Sequence, residues 1–215
     1  SLDGVLLNNS LTTIIQCPGG KAGSYAIPDS VTNIGNNVFS HCTSLTNVTI
    51  PDNVTSIGSQ AFLQCDILAT VTIGNGVTNI GSFAFYYCTN LIGIYFSGSA
   101  PSLGSSGFFG DNNATVYYLP GTAGWGPTYG ERPTALWQPQ MQTGDTSFGV
   151  HTNQFGFNIT WASGQVVVVE ASENLANPIW SPLQTNTLAS DTLYFSDPEW
   201  TNYPSPFYRL RSPPE

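Results

Sequence analysis

Cations are nearly missing from this chain: Lys21, Arg132, Arg209 and Arg211 are its only lysines and arginines, against 13 carboxylates and a net charge of −9. A nucleic-acid partner requires many Lys/Arg contacts to phosphate, so this balance argues against one, and against an anionic membrane surface. Long apolar runs are missing too. No stretch approaches the 18 or so consecutive apolar residues that span a bilayer, and no basic segment followed by an apolar run opens the chain, so no membrane insertion is expected. Histidine is scarce: His41 and His151 are the only two, with neither an HExxH pair for zinc nor a GxSxG nucleophile elbow nearby. No metal, cofactor or catalytic residue is expected. The carboxylate pairs Glu170/Glu173 and Asp197/Glu199 could serve glycoside hydrolysis if about 5–9.5 Å apart, but both border turn signals that account for them. Charged residues make up only 8% of the chain, and the polar remainder is largely Thr, Ser, Asn and Gly. That composition fits an extracellular surface rather than a cytosolic one, with Ser1 close to a processed end.

What is abundant is repetition. Cys42, Cys65 and Cys88 are 23 residues apart, and the phrases around them align as IPDSVTNIGNNVFSHCTSLTNVT (27–49), IPDNVTSIGSQAFLQCDILATVT (50–72) and IGNGVTNIGSFAFYYCTNLIGIY (73–95). A fixed period within about 20–50 residues marks a solenoid, whose units bury their apolar sides only by stacking. The columns Ile27/Ile50/Ile73, Val31/Val54/Val77, Ile34/Ile57/Ile80, Phe39/Phe62/Phe85 and Leu45/Leu68/Leu91 are the expected core. Alternation at the end of LTNVTI (45–50) sets Val48 and Ile50 inward and Thr49 outward, as on a half-buried strand in a parallel ladder. Gly35, Gly58 and Gly81 are expected at corners that need positive φ, each followed by a short helical turn. A fourth, degraded copy continues through Ala100, Leu103, Gly104 and Phe108, with Asp111 replacing the cysteine. The three column cysteines are expected as buried free thiols; Cys17, outside the column, is ambiguous.

The phrase IPxxVTxIGxxxFxxCxxLxxVT resembles the BspA-like, or treponemal, class of leucine-rich repeats of bacterial surface and secreted proteins. The opening LDGVLLNNSLTTIIQCPGGKAGSYAIP resembles the hairpin insert that often precedes such repeats, with Cys17 where the family often carries an aromatic residue. The resemblance implies a solenoid used for binding or display, with roles in adhesion and interbacterial contact, and supplies no catalytic residues. Because the chain starts inside the pattern, further repeats could lie upstream.

Four segments follow: a hairpin insert or capping repeat (1–26), leucine-rich repeats (27–119), a Gly/Pro/Trp connector (120–139) and a β-sandwich module (140–215). In the last, Phe155–Trp161, Gln165–Ala171, Trp180–Thr187, Thr192–Ser196 and Phe207–Arg211 read as strands of a small antiparallel sandwich. VEASENLANPIWSPL and FYRLRSP resemble the module ending many secreted proteins of related bacteria. The fold class is therefore mainly β, a solenoid followed by a sandwich.

The candidate interaction surface comprises the outward strand positions Thr49, Thr72, Tyr95 and Tyr118 and the turn positions Phe83, Tyr86 and Tyr87. The turn positions become more aromatic along the chain, from Asn37 and Ser40 through Gln60 and Leu63, so the C-terminal end of the stack is expected to be covered, by the second domain or by another molecule. The functional expectation is a non-catalytic adhesion or protein-interaction module at the bacterial surface. The alternatives are a protein that assembles with copies of itself into a homo-polymer of filaments or arrays, and a glycan-binding module.

Overall fold

The computed structural model describes residues 4–202 and 206–212; Ser1, read above as near a processed end, lies outside them. The chain divides into two compact units, Ser1–Trp137 and Gln138–Glu215.

The first unit is a coil of parallel ladders. A broad ladder runs through Gly23–Ala26, Leu45–Ile50, Thr70–Ile73, Gly93–Phe96, Thr115–Tyr118 and Arg132–Leu136, with Thr128–Tyr129 closing it antiparallel. A narrow ladder of two-residue strands runs through Asn33–Ile34, Ser56–Ile57, Asn79–Ile80 and Ser102–Leu103, preceded by the hairpin of Leu6–Leu7 with Thr13–Gln16. Between the ladders lie the inward columns. Phe39, Phe62 and Phe85 are fully buried and their rings stack nearly parallel, 4.8 and 4.9 Å apart, before Phe108 continues at 5.3 Å. Each such ring contributes about 2–3 kcal/mol through burial. All four cysteines are buried and free; Cys65 and Cys88 donate their thiols to the Phe39 and Phe62 carbonyls at 3.0 Å.

Three sequence expectations are revised. The segments expected as short helical turns are successive tight turns, with left-handed residues at Asn37/His41, Gln60/Gln64 and Phe83/Tyr87. They bond from coil to coil, as in Phe39 N–H to the Ala61 carbonyl and Phe62 N–H to that of Ala84. Two of the corner glycines are required by proximity rather than by φ. None of Gly35, Gly58 and Gly81 has positive φ, but a Cβ on Gly58 would lie 2.5 Å from the Gly35 carbonyl carbon, and one on Gly81 2.5 Å from the Ser59 nitrogen.

The stretch 120–139, expected as a connector, carries the last two strands of the solenoid. It also carries the cap of the core. Trp125 packs on Phe96 at 4.9 Å and on Tyr118 at 5.2 Å, and Tyr129 meets both Phe96 and Phe108. An open solenoid end exposes apolar side chains, and two large aromatics cover it. With Gly23–Ala26 and Arg132–Leu136 as further rungs, the stack is longer than the three cysteine-bearing units.

In the second unit Gln154–Thr160 is flanked by Gln140–Gln142, Gly149–His151 and Thr192–Asp197, and Val166–Ser172 lies between Ser181–Thr187 and Phe207–Arg211, all antiparallel. The rings of Phe155, Phe157 and Phe195 meet Tyr208 of the other sheet at 4.9–6.1 Å, as expected of a sandwich core.

Candidate interaction surface

Two aromatic clusters rise from the first unit. On the turn face, Tyr86 is half-buried at the centre, 5.3 Å from Phe83, 4.7 Å from Tyr87 and 5.4 Å from Phe109. Phe83, Tyr87 and Phe109 are 37%, 42% and 48% exposed. Phe109 stands 23 residues beyond Tyr86, in the same column, and the lengthening of the aromatic run there is legible from the period alone. Gly110, at φ +91°, takes the place of Tyr87 in the next coil, and a Cβ there would meet the Tyr87 ring at 3.1 Å. The small residue leaves room for that ring.

The backbone beneath is strained. Phe83 and Tyr87 sit at φ 59° and 58°, where a side chain costs roughly 1–2 kcal/mol and where Asn and His are the more tolerant residues. The first coil has Asn37 and His41 in those columns; the third has two aromatic rings instead.

On the outward face of the broad ladder, Thr49, Thr72 and Tyr95 occupy one column. Tyr118 does not belong to it. The fourth coil has lost one residue on this side, so Tyr117 pairs with Tyr95 and Tyr118 with Phe96, and Tyr118 turns toward Trp125. A 22-residue coil cannot be seen by extending a 23-residue period. Tyr95 stacks on Tyr117 at 4.8 Å, with Trp137 tilted against it at 5.0 Å. Gly93 admits the ring: a Cβ there would lie 2.6 Å from Tyr95. Burial and the neighbouring Tyr117 raise the Tyr95 hydroxyl above the ordinary tyrosine range. Beside this strip the Thr70 hydroxyl donates to Asn47 Oδ1 at 2.6 Å, and the Asn47 amide donates to Ser24 Oγ at 3.1 Å.

Two of the carboxylates considered for hydrolysis, Glu170 and Asp197, have other partners. Glu170 is buried and accepts Arg209 Nε at 2.7 Å and Arg211 Nε at 2.8 Å; burial pushes its carboxyl up, but the two guanidiniums hold it below the usual range. Asp197 caps the Glu199 amide and accepts the Tyr208 hydroxyl at 2.9 Å. His41 and His151 are exposed. Among the described residues no group of three or more His, Cys, Asp or Glu is placed to hold a metal ion, and no helix is long and apolar enough to cross a membrane.

Residues 20–123 match the model of the BspA type leucine rich repeat region, in six copies. Three solved structures are similar. The T. pallidum leucine rich repeat protein is 23% identical over 54% of this chain and 70% of its own, at a TM-score of 0.43. A leucine rich cell surface protein of Faecalibacterium prausnitzii A2-165 is 24% identical over 61% of this chain and 45% of its own, at 0.36. The pneumococcal vaccine antigen PcpA is 16% identical over 56% of this chain and 42% of its own, at 0.39. The chain thus spans less than half the length of the latter two. No curated protein shows a significant match.

Proposed function

We propose, from the premise that residues 20–123 are a BspA type leucine rich repeat region, that the chain is a non-catalytic adhesion module displayed outside a bacterial cell, binding a protein through the turn-face aromatics. The observation that carries this reading is the pairing of exposure with strain at Phe83 and Tyr87. Rings kept at a backbone cost and left in water have a use other than folding. The low charge of the chain supports a contact that is apolar and hydroxyl-rich rather than electrostatic.

The test is adhesion. Beads carrying the chain should bind immobilised extracellular-matrix proteins above albumin-coated beads, and a Phe83→Ser/Tyr87→Ser/Phe109→Ser variant should lose most of that binding. Equal adhesion of chain and albumin beads across the panel would refute the reading.

Two finer readings each have one supporting observation. The strip of Tyr95, Tyr117 and Trp137 beside the Thr70–Asn47–Ser24 hydroxyl chain suits a neutral glycan, through ring stacking and hydrogen bonds; Tyr95→Ala should then abolish oligosaccharide binding that Phe83→Ser leaves intact. Gly23–Ala26 pairs on one side only among the described strands, and an open edge can accept another copy. Sedimentation velocity that stays monomeric at high concentration would exclude such filaments.

A further inference from the structure

Cys17 breaks the repeat in a way that brings a second thiol to the cysteine column. Its amide donates to the Val38 carbonyl at 2.8 Å, as the Phe39 amide donates to that of Ala61. By this register Cys17 stands in the phenylalanine column, one coil ahead of Phe39. A phenyl ring there would extend the ring stack; the smaller thiol instead faces Cys42. Both sulfurs converge on one acceptor, the Pro18 carbonyl, at 3.7 Å from Cys17 and 3.8 Å from Cys42. In the next two coils the corresponding thiols have a carbonyl each, at 3.0 Å. Contact with the Cys42 thiol, followed by burial, raises the Cys17 thiol above its ordinary range. Both residues are buried, 3% and 0% exposed.

We propose that Cys17 and Cys42 form a disulfide when the protein meets a small-molecule disulfide, locking the segment after the N-terminal hairpin to the first cysteine-bearing coil. Exchange begins when the Gln16–Gly20 segment opens. The Cys42 thiolate, which contact with the Cys17 thiol favours, attacks one sulfur of the oxidant and releases a thiol. Cys17 then attacks the mixed disulfide, forming the Cys17–Cys42 bond and releasing the second thiol. Two protons and two electrons leave the protein, and the oxidant becomes two thiols. The extracellular reading of the chain is what supplies such an oxidant; the pairing itself depends only on the two thiols. Cys65 and Cys88 also touch each other, but both are fully buried and each is held by its own carbonyl at 3.0 Å, so they stay reduced.

Trypsin gives a direct readout, because Lys21 is the only lysine or arginine between Cys17 and Cys42. After incubation with oxidised glutathione, denaturation and alkylation without reductant, two thiols should be alkylated rather than four. The tryptic fragment 1–21 should be released only after reduction. Cys42→Ser should release it without reductant, whereas Cys65→Ser should keep it linked. The oxidised chain should melt about 5–10 °C above the reduced one, as expected for closing a loop of this size in a domain of this length. Cys17→Phe, which restores the column, should show no such difference while remaining folded. Four alkylated thiols after oxidation, or a link that survives in Cys42→Ser, overturns the proposal. Neither result touches the adhesion reading when adhesion is measured on reduced protein.

Discussion

Asp111 Oδ1 accepts the Cys88 backbone amide at 2.7 Å inside the core, in the column where the three preceding coils carry a thiol. The side chain is fully buried, its second oxygen has no hydrogen-bond partner, and burial pushes its carboxyl up to about 8 against the pull of the Cys88 amide and Arg132. A thiol in this column donates to a carbonyl; an ionised carboxylate can only accept. The neutral acid is therefore the form the fold prefers.

The pH dependence follows in sign. The folded value lies above the unfolded one, near 4, so the contribution is fully present below about pH 4 and is lost as pH rises toward 8, at up to about 1.4 kcal/mol per unit. Asp111→Cys restores the repeat and removes this loss. Thermal unfolding of the two proteins from pH 4 to 8 should show the wild type losing ground steadily to the variant. Parallel curves would mean that Asp111 titrates normally.

The corner glycines separate close approach from backbone freedom. Gly58→Ala should cost about 3 kcal/mol or more, because its new methyl meets backbone that cannot step aside. Gly20, which has nothing within 4 Å of an added Cβ and no positive φ, should accept alanine within about 0.5 kcal/mol. Urea denaturation of both variants decides it.

Trp125 donates its indole N–H to Thr122 Oγ1 at 2.9 Å and covers Phe96. Because it is only partly buried, Trp125→Ala should cost about 2–4 kcal/mol, somewhat below the range for a core tryptophan. Amide exchange should speed up first in Thr115–Tyr118 and Arg132–Leu136. Uniform acceleration across the ladder would point to a cooperative unit with no distinct cap.

The sequence made the inward columns legible because each is the same side chain at a constant interval, and stacking makes such a column a core. Strands of the second unit were legible from alternation and Pro/Gly punctuation, with boundaries such as Val166–Ser172 and Thr192–Asp197 within a residue of those expected. Features that depend on a departure from the period were not legible. Tyr118 moved to another column through a one-residue deletion, and Trp125 and Tyr129 cap the core from a stretch with no period at all. Left-handed φ at Phe83 and Tyr87 was hidden for another reason: those residue types do not ordinarily announce it, whereas Asn37 and Gly110, in the same columns, do.

Those two residues carry the central claim. Replacing both with asparagine, as in Asn37, relieves about 1–2 kcal/mol of strain at each site but forfeits ring contacts of roughly 0.5–1.5 kcal/mol per pair. The two effects nearly cancel, so Phe83→Asn/Tyr87→Asn should unfold within about 1 kcal/mol of the wild type. The decisive measurement is the affinity of this variant and of the wild type for the same immobilised matrix protein, beside their urea curves. The account predicts stability within about 1 kcal/mol of the wild type with binding weakened at least about tenfold. Full binding by an equally stable variant would contradict it.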